Sequence, residues 1–65
     1  ELAGTLRRRR KELRLSQQDL ADLAGCSPRF LRSLEQGKST VRLDKVLSVL
    51  DALGLEFDVR LRRVP

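Results

Sequence analysis

Histidine, methionine, tryptophan and tyrosine are absent from this chain, and cysteine occurs once, at Cys26. A single cysteine forms no internal disulfide, so the fold has no covalent staple. Without histidine, the usual zinc ligand sets and the thiol–imidazole or hydroxyl–imidazole pairs of nucleophilic catalysis have no members to draw on. No pair of carboxylates is spaced to flank a substrate. The expectation is a protein that is not an enzyme and holds no metal or cofactor. Aromatic residues amount to two phenylalanines. Binders of RNA or single strands that work by stacking need more aromatic surface than that. Long apolar runs are missing as well: nothing approaches the roughly 18 residues that span a bilayer. No signal peptide, internal repeat or low-complexity linker is visible. The chain is therefore read as cytoplasmic, with no membrane partner.

What is present is leucine and positive charge. Fourteen Lys and Arg stand against nine Asp and Glu, a net charge of +5, and the isoelectric point is near 10.7. Such a balance favours a polyanionic partner, nucleic acid before an anionic membrane surface. At 65 residues the chain is one domain with a small core, and oligomerisation is the remaining source of stability.

The organising stretch is residues 16–38, SQQDLADLAGCSPRFLRSLEQGK. Ser16 is placed to cap a helix, with Asp19 three residues on completing a capping-box pair. Leu20, Leu23 and Ala24 follow at helical spacing. Gly25 ends that helix, and Ser27-Pro28 opens the next with an N-cap and a proline at the first helical position. Two helices joined so tightly cross steeply, as in a helix-turn-helix. The small Ala21 lets them approach. With Leu31 and Leu34 turned inward, Arg29, Arg32, Ser33 and Gln36 face outward. Phe30 and Glu35 then lie on opposite flanks. Two arginines, a hydroxyl and an amide on one exposed face suit base edges and phosphates. The plainer alternative is an ordinary solvated face.

Residues 1–14 read as the first helix, with Leu2, Leu6 and Leu13 as its buried stripe. Residues 7–11 are an unbroken basic run, read mostly as a solvated face; the alternative is that some of them touch DNA phosphates. Arg10 differs, being four after Leu6 and three before Leu13, and so points to the edge of the core. A partly buried arginine needs a carboxylate, and Glu35 is the candidate. The alternative is that Arg10 snorkels to water. Gly37 stops the third helix, and the polar loop at residues 38–40 suits a phosphate backbone. A fourth helix starts at Thr40 or a neighbour and runs to about Leu53. Its core stripe is Leu43, Val46, Leu47, Leu50 and Leu53, and Gly54 ends it. Beyond this point the period changes to two: Leu55, Phe57, Val59 and Leu61 alternate with charged residues, as in a strand. A lone strand leaves its backbone unpaired. The simplest partner is the same strand of a second copy; the alternative is a frayed tail.

The pattern Leu20, Ala21, Ala24, Gly25, Leu31, Leu34, Glu35, Gly37 resembles the Cro/C1-type (XRE-type) helix-turn-helix over roughly residues 5–54. The segment TVRLDKVLSVLDALGLE with its terminal strand resembles HipB-like antitoxins, the partners of HipA-type kinase toxins. That resemblance implies an all-α helix-turn-helix bundle of four helices, lambda-repressor-like, with one short C-terminal β-strand that pairs between subunits of a dimer. Residues 1–54 would be the DNA-binding domain and 55–65 the dimerisation strand and tail. The implied function is a double-stranded DNA-binding repressor that binds a palindromic operator as a homodimer, autoregulates its operon and pairs with a HipA-like kinase toxin. Carried over residue by residue, Ser27, Arg29, Arg32 and Ser33 would contact bases, and Gln17, Gln36 and Lys38 would contact phosphates. Arg10 and Glu35 match a salt bridge that recurs in the family. Phe57, Val59 and Leu61 would form the dimer strand. Two departures stand out. Cys26 sits where an aliphatic residue is usual, and reads as a small buried hydrophobe. Pro28 replaces a side chain that reads a base in some relatives. The alternatives are a stand-alone or phage-type XRE regulator, or a basic protein-interaction module.

Overall fold

The computed structural model describes residues 1–38 and 40–58. It contains four helices in the order α1 (Leu2–Glu12), α2 (Gln17–Ala24), α3 (Pro28–Glu35) and α4 (Leu43–Ala52). Helix α3 packs on α1 and α2, and α2 packs on α4. Leu6, Leu20, Ala21, Leu31, Leu34, Val46, Val49, Leu50 and Leu53 form one core shared by all four helices. Each large member contributes about 1.5–3 kcal/mol by leaving water, so few can be spared in a chain this small.

The local signals act as their chemistry requires. Ser16 Oγ accepts from the Asp19 N–H, and the Asp19 carboxylate accepts from the Ser16 N–H, each at 3.0 Å, a reciprocal capping box. These bonds hold the Asp19 carboxyl below its usual range. Gly25 turns the chain at φ 71°, a left-handed conformation that glycine adopts without steric cost. Ser27 Oγ then accepts from the Phe30 N–H at 3.0 Å, with Pro28 in the first turn of α3. Cys26 in this turn is half-buried against the core, and burial, partly opposed by the Lys45 charge, pushes its thiol pKa up.

Several expectations about faces require correction. Leu2 and Leu13 are 43% and 40% exposed, so Leu6 alone of that leucine stripe enters the core. Leu13 caps the C-terminus of α1, beyond its last turn. Leu23 is 65% exposed, because α2 turns Leu20 and Ala21 inward. Helix α4 starts at Leu43 rather than near Thr40. Its buried positions are Val46, Val49, Leu50 and Leu53, while Leu43 and Leu47 stay largely exposed on one flank. Both phases of the α4 pattern share three residues, and packing against α2 selects between them. Residues 55–58 carry no strand, and Phe57 is exposed in the single chain. Leu55 packs against the core. Val59 and Leu61 of the expected strand lie outside the described residues.

Arg14, after α1, adopts a left-handed conformation with φ 57°. The Arg14 and Leu15 N–H groups close the end of α1 on the Lys11 and Arg10 carbonyls at 3.0 and 3.1 Å. The geometry is one glycine favours and β-branched residues resist. Arg14→Gly is expected to raise the unfolding free energy by roughly 0.5–1 kcal/mol and Arg14→Val to lower it. Denaturant melts ranking glycine below arginine would contradict this reading of the turn.

Candidate nucleic-acid interface

Helix α3 turns a polar face outward. Leu31, Leu34 and Glu35 occupy the inner side of that helix. At about 100° per residue the opposite side then carries Arg29, Arg32, Ser33 and Gln36. Arg29, Arg32, Gln36 and Lys38 are exposed, and Ser33 is half-buried. Among the described residues no carboxylate pairs with Arg29, Arg32 or Lys38. Three unneutralised cations therefore share this side of the molecule. An open groove of about 330 Å³ runs between α3 and residues 40–42, with Ser27, Arg29, Ser33 and Lys38 on its lining.

The expected site residues are not all equivalent in place. Arg29, Ser33, Lys38 and the cap residue Ser27 come together on the groove, whereas Arg32 and Gln36 are exposed outside it. Ser27 uses an oxygen lone pair for its cap and keeps its hydroxyl proton to donate. Gln17 is drawn inward: its amide Nε2 donates to Glu35 Oε1 at 3.2 Å. Thr40, Arg42, Phe30 and Val41 also line the groove. No spacing rule marks Phe30, Val41 or Arg42 as groove residues, because the groove forms only where residues 40–42 come to lie beside α3. Arg42 is bound by Asp44 at 2.8 and 3.2 Å, an exposed pair of little energetic weight.

Beneath this face lies a buried ion pair. Glu35 is 2% exposed. Arg10 Nε donates to Glu35 Oε2 at 2.7 Å and Arg10 Nη2 donates to Oε1 at 3.0 Å, a two-pronged bridge from α1 to α3. The remaining Arg10 nitrogen donates to the Leu15 carbonyl at 2.9 Å. Burial pushes the Glu35 carboxyl pKa up, but hydrogen bonds from Arg10 and Gln17 and the charges of Arg10 and Arg7 outweigh it and leave the pKa below its ordinary value. The Glu35 bond raises the Arg10 pKa against the opposing effect of burial. No buried side-chain polar atom among the described residues lacks a partner.

The basic run of residues 7–11 has an unexpected use. Arg7 Nη1 donates to the Glu35 carbonyl, and Arg9 Nε donates to the Leu53 carbonyl at 2.9 Å. Both acceptors belong to the C-terminal ends of helices, α3 and α4, where carbonyls lack intrahelical partners and the dipole is negative. With Arg10, three residues of the run tie α1 to its neighbours. Arg7, Arg8 and Lys11 nonetheless remain exposed, as expected for most of the run, while Arg9 and Arg10 are half-buried.

The comparisons with known proteins agree with this architecture. A helix-turn-helix domain family matches residues 1–63. An uncharacterised helix-turn-helix-type transcriptional regulator, y4mF, of Sinorhizobium fredii is 42% identical over 59 residues, covering 91% of this chain and 78% of the relative. No helix among the described residues is long and apolar enough to cross a membrane. With the tight α2–α3 pair, its capped turn and its outward polar face in place, the chain belongs to a helix-turn-helix family of the XRE-like kind.

Proposed function

We propose that this chain is a sequence-specific double-stranded DNA-binding transcriptional repressor that acts as a homodimer on a palindromic operator. The single observation that carries the reading is the outward face of α3. Arg29 and Ser33 lie on it beside Lys38, unpaired with any carboxylate among the described residues. A helix of that composition can enter the major groove and present hydrogen-bond donors to base edges. The transcriptional-regulator name of the similar protein supports it. A second copy is supported by the exposed Leu23, Leu43, Leu47 and Phe57, apolar surface that a 65-residue monomer gains nothing by exposing. The finer reading is a HipB-like antitoxin that autoregulates its operon and holds a HipA-like kinase toxin on faces away from α3. It rests on the sequence resemblance of the α4 region.

Base reading and backbone holding separate by mutation. Arg29→Ala is expected to cost about 1–3 kcal/mol on the preferred duplex and to relax preference at one base pair. Lys38→Ala is expected to weaken all duplexes alike and to reduce the salt slope by about one phosphate contact. Titrations of both variants against the preferred site and a scrambled duplex, at several salt concentrations, decide the roles. Equal losses for Arg29→Ala on every duplex would demote Arg29 to a phosphate contact. An absence of any duplex preference in the unaltered protein would remove the repressor reading itself. Toxin pairing predicts that the product of a neighbouring kinase-like gene co-purifies while DNA binding persists; competition between toxin and duplex for one surface would reject the separate-face arrangement.

A further inference from the structure

The groove beside α3 has a mixed lining that the polar residues alone do not explain. Arg29, Ser33 and Lys38 bring donors, and Phe30 and Val41 bring an apolar wall. Phe30 and Ser33 stand only about 60° apart on the helix. The ring is half-buried: part of it packs against the edge of the core, and part faces the open groove. Val41 from the loop after α3 is likewise half-buried and backs the same wall. A phosphate would gain nothing from this wall. Among the base edges of the major groove, the one apolar group is the C5 methyl of thymine, and a phenylalanine side chain is among its recognised contacts.

We propose that Phe30, backed by Val41, is a specificity-determining residue that reads a thymine methyl next to the base pair taken by Arg29. The assignment rests on the DNA-reading function proposed above and adds an apolar element to its hydrogen-bonding face. Arg29 and Phe30 are adjacent in sequence and share the groove, so a polar and an apolar contact fall on neighbouring positions of one half-site. The bound sequence then has a thymine whose methyl group, not its hydrogen-bonding edge, is what the protein selects.

Deoxyuridine isolates that group, since it lacks the methyl and keeps every hydrogen-bonding atom of thymine. The full chain is used to select its preferred duplex from a random pool, and each thymine of that duplex is then replaced singly by deoxyuridine. At least one replacement is expected to weaken binding by about fourfold, the contribution of one buried methyl group. The Phe30→Ser variant is expected to bind the thymine and deoxyuridine forms of that site equally. Because Phe30 also touches the core edge, a thermal melt accompanies the variant, and the deoxyuridine scan of the unaltered protein stands without it. A preferred duplex with a flat scan overturns the assignment and leaves the DNA-reading function intact. So does a Phe30→Ser protein that weakens on both forms while keeping their ratio, which would make Phe30 a brace for the loop. A pool that yields no preferred duplex overturns both.

Discussion

Arg10→Met is expected to lower the unfolding free energy by about 3–5 kcal/mol, because it strands the buried Glu35 carboxylate. Glu35 is 2% exposed and receives both prongs of the Arg10 guanidinium. The Gln17 amide alone, at 3.2 Å, does not replace that charge. A domain of this size has a net stability of only about 3–5 kcal/mol from its core, so the variant should be largely unfolded at room temperature. Glu35→Gln should cost less. It leaves a neutral amide in place of the carboxylate, and the Arg10 guanidinium keeps its bond to the Leu15 carbonyl. The double variant should be more stable than the sum of the two losses allows, since neither charge is then stranded. Small additive effects in a thermal or urea series would mean that the bridge does not couple α1 to α3. The pH dependence has a definite sign. The folded pKa of Glu35 lies below its ordinary value, so the unfolded chain binds the proton more readily. This contribution is fully present above the unfolded pKa of about 4.3 and is lost as pH falls through the folded value. Other depressed carboxyls, such as Asp19, share the acid slope. The part attributable to Glu35 is the part that Glu35→Gln abolishes.

Truncation after Leu55 is expected to give a monomer whose affinity for the preferred duplex falls by about a hundredfold or more. One recognition helix reads only a few base pairs. Two copies related by a two-fold axis read half-sites about 34–36 Å apart, and something must fix that distance. The alternating segment that continues from Phe57 through Val59 and Leu61 is the proposed clasp, with α4 as its support. Phe57 is 55% exposed in the single chain, and Leu43 and Leu47 on α4 are 59% and 42% exposed. Leu55 is retained because it packs against the core and its N–H closes the end of α4 on the Leu50 carbonyl at 2.9 Å. The salt slope of duplex binding should become shallower, since fewer phosphates are neutralised per complex. Sedimentation and duplex titration of the truncated chain measure both effects. A truncated protein that remained dimeric and bound as tightly would move the interface to the α4 flank.

The sequence by itself determined the parts of this protein whose physics is local. Caps and breakers act within a few residues. Ser16 with Asp19, Gly25, Ser27 with Pro28, and Gly37 therefore set the ends of α2 and α3 without reference to the rest of the chain. The outward placement of Arg29, Arg32, Ser33 and Gln36 followed from one helical period and two inward leucines. The Arg10–Glu35 pair was also legible, because a charged residue at a core-facing position demands an opposite charge. Tertiary structure decided what depends on a neighbour. Six large apolar residues of α4 and its C-cap spread over an arc of about 160° at about 100° per residue, and contact with α2 selects Val46, Val49, Leu50 and Leu53 over Leu43 and Leu47. Arg7 and Arg9 look like solvated charge until the carbonyl ends of α3 and α4 arrive beside them. Gln17 is turned toward Glu35, rather than outward, by the approach of α2 to the buried bridge. The groove that joins Phe30 and Val41 to Arg29 and Lys38 exists only because residues 40–42 lie beside α3. A periodic pattern states which side chains share a face; which face is covered, and by what, is fixed by the energy of packing the helices together.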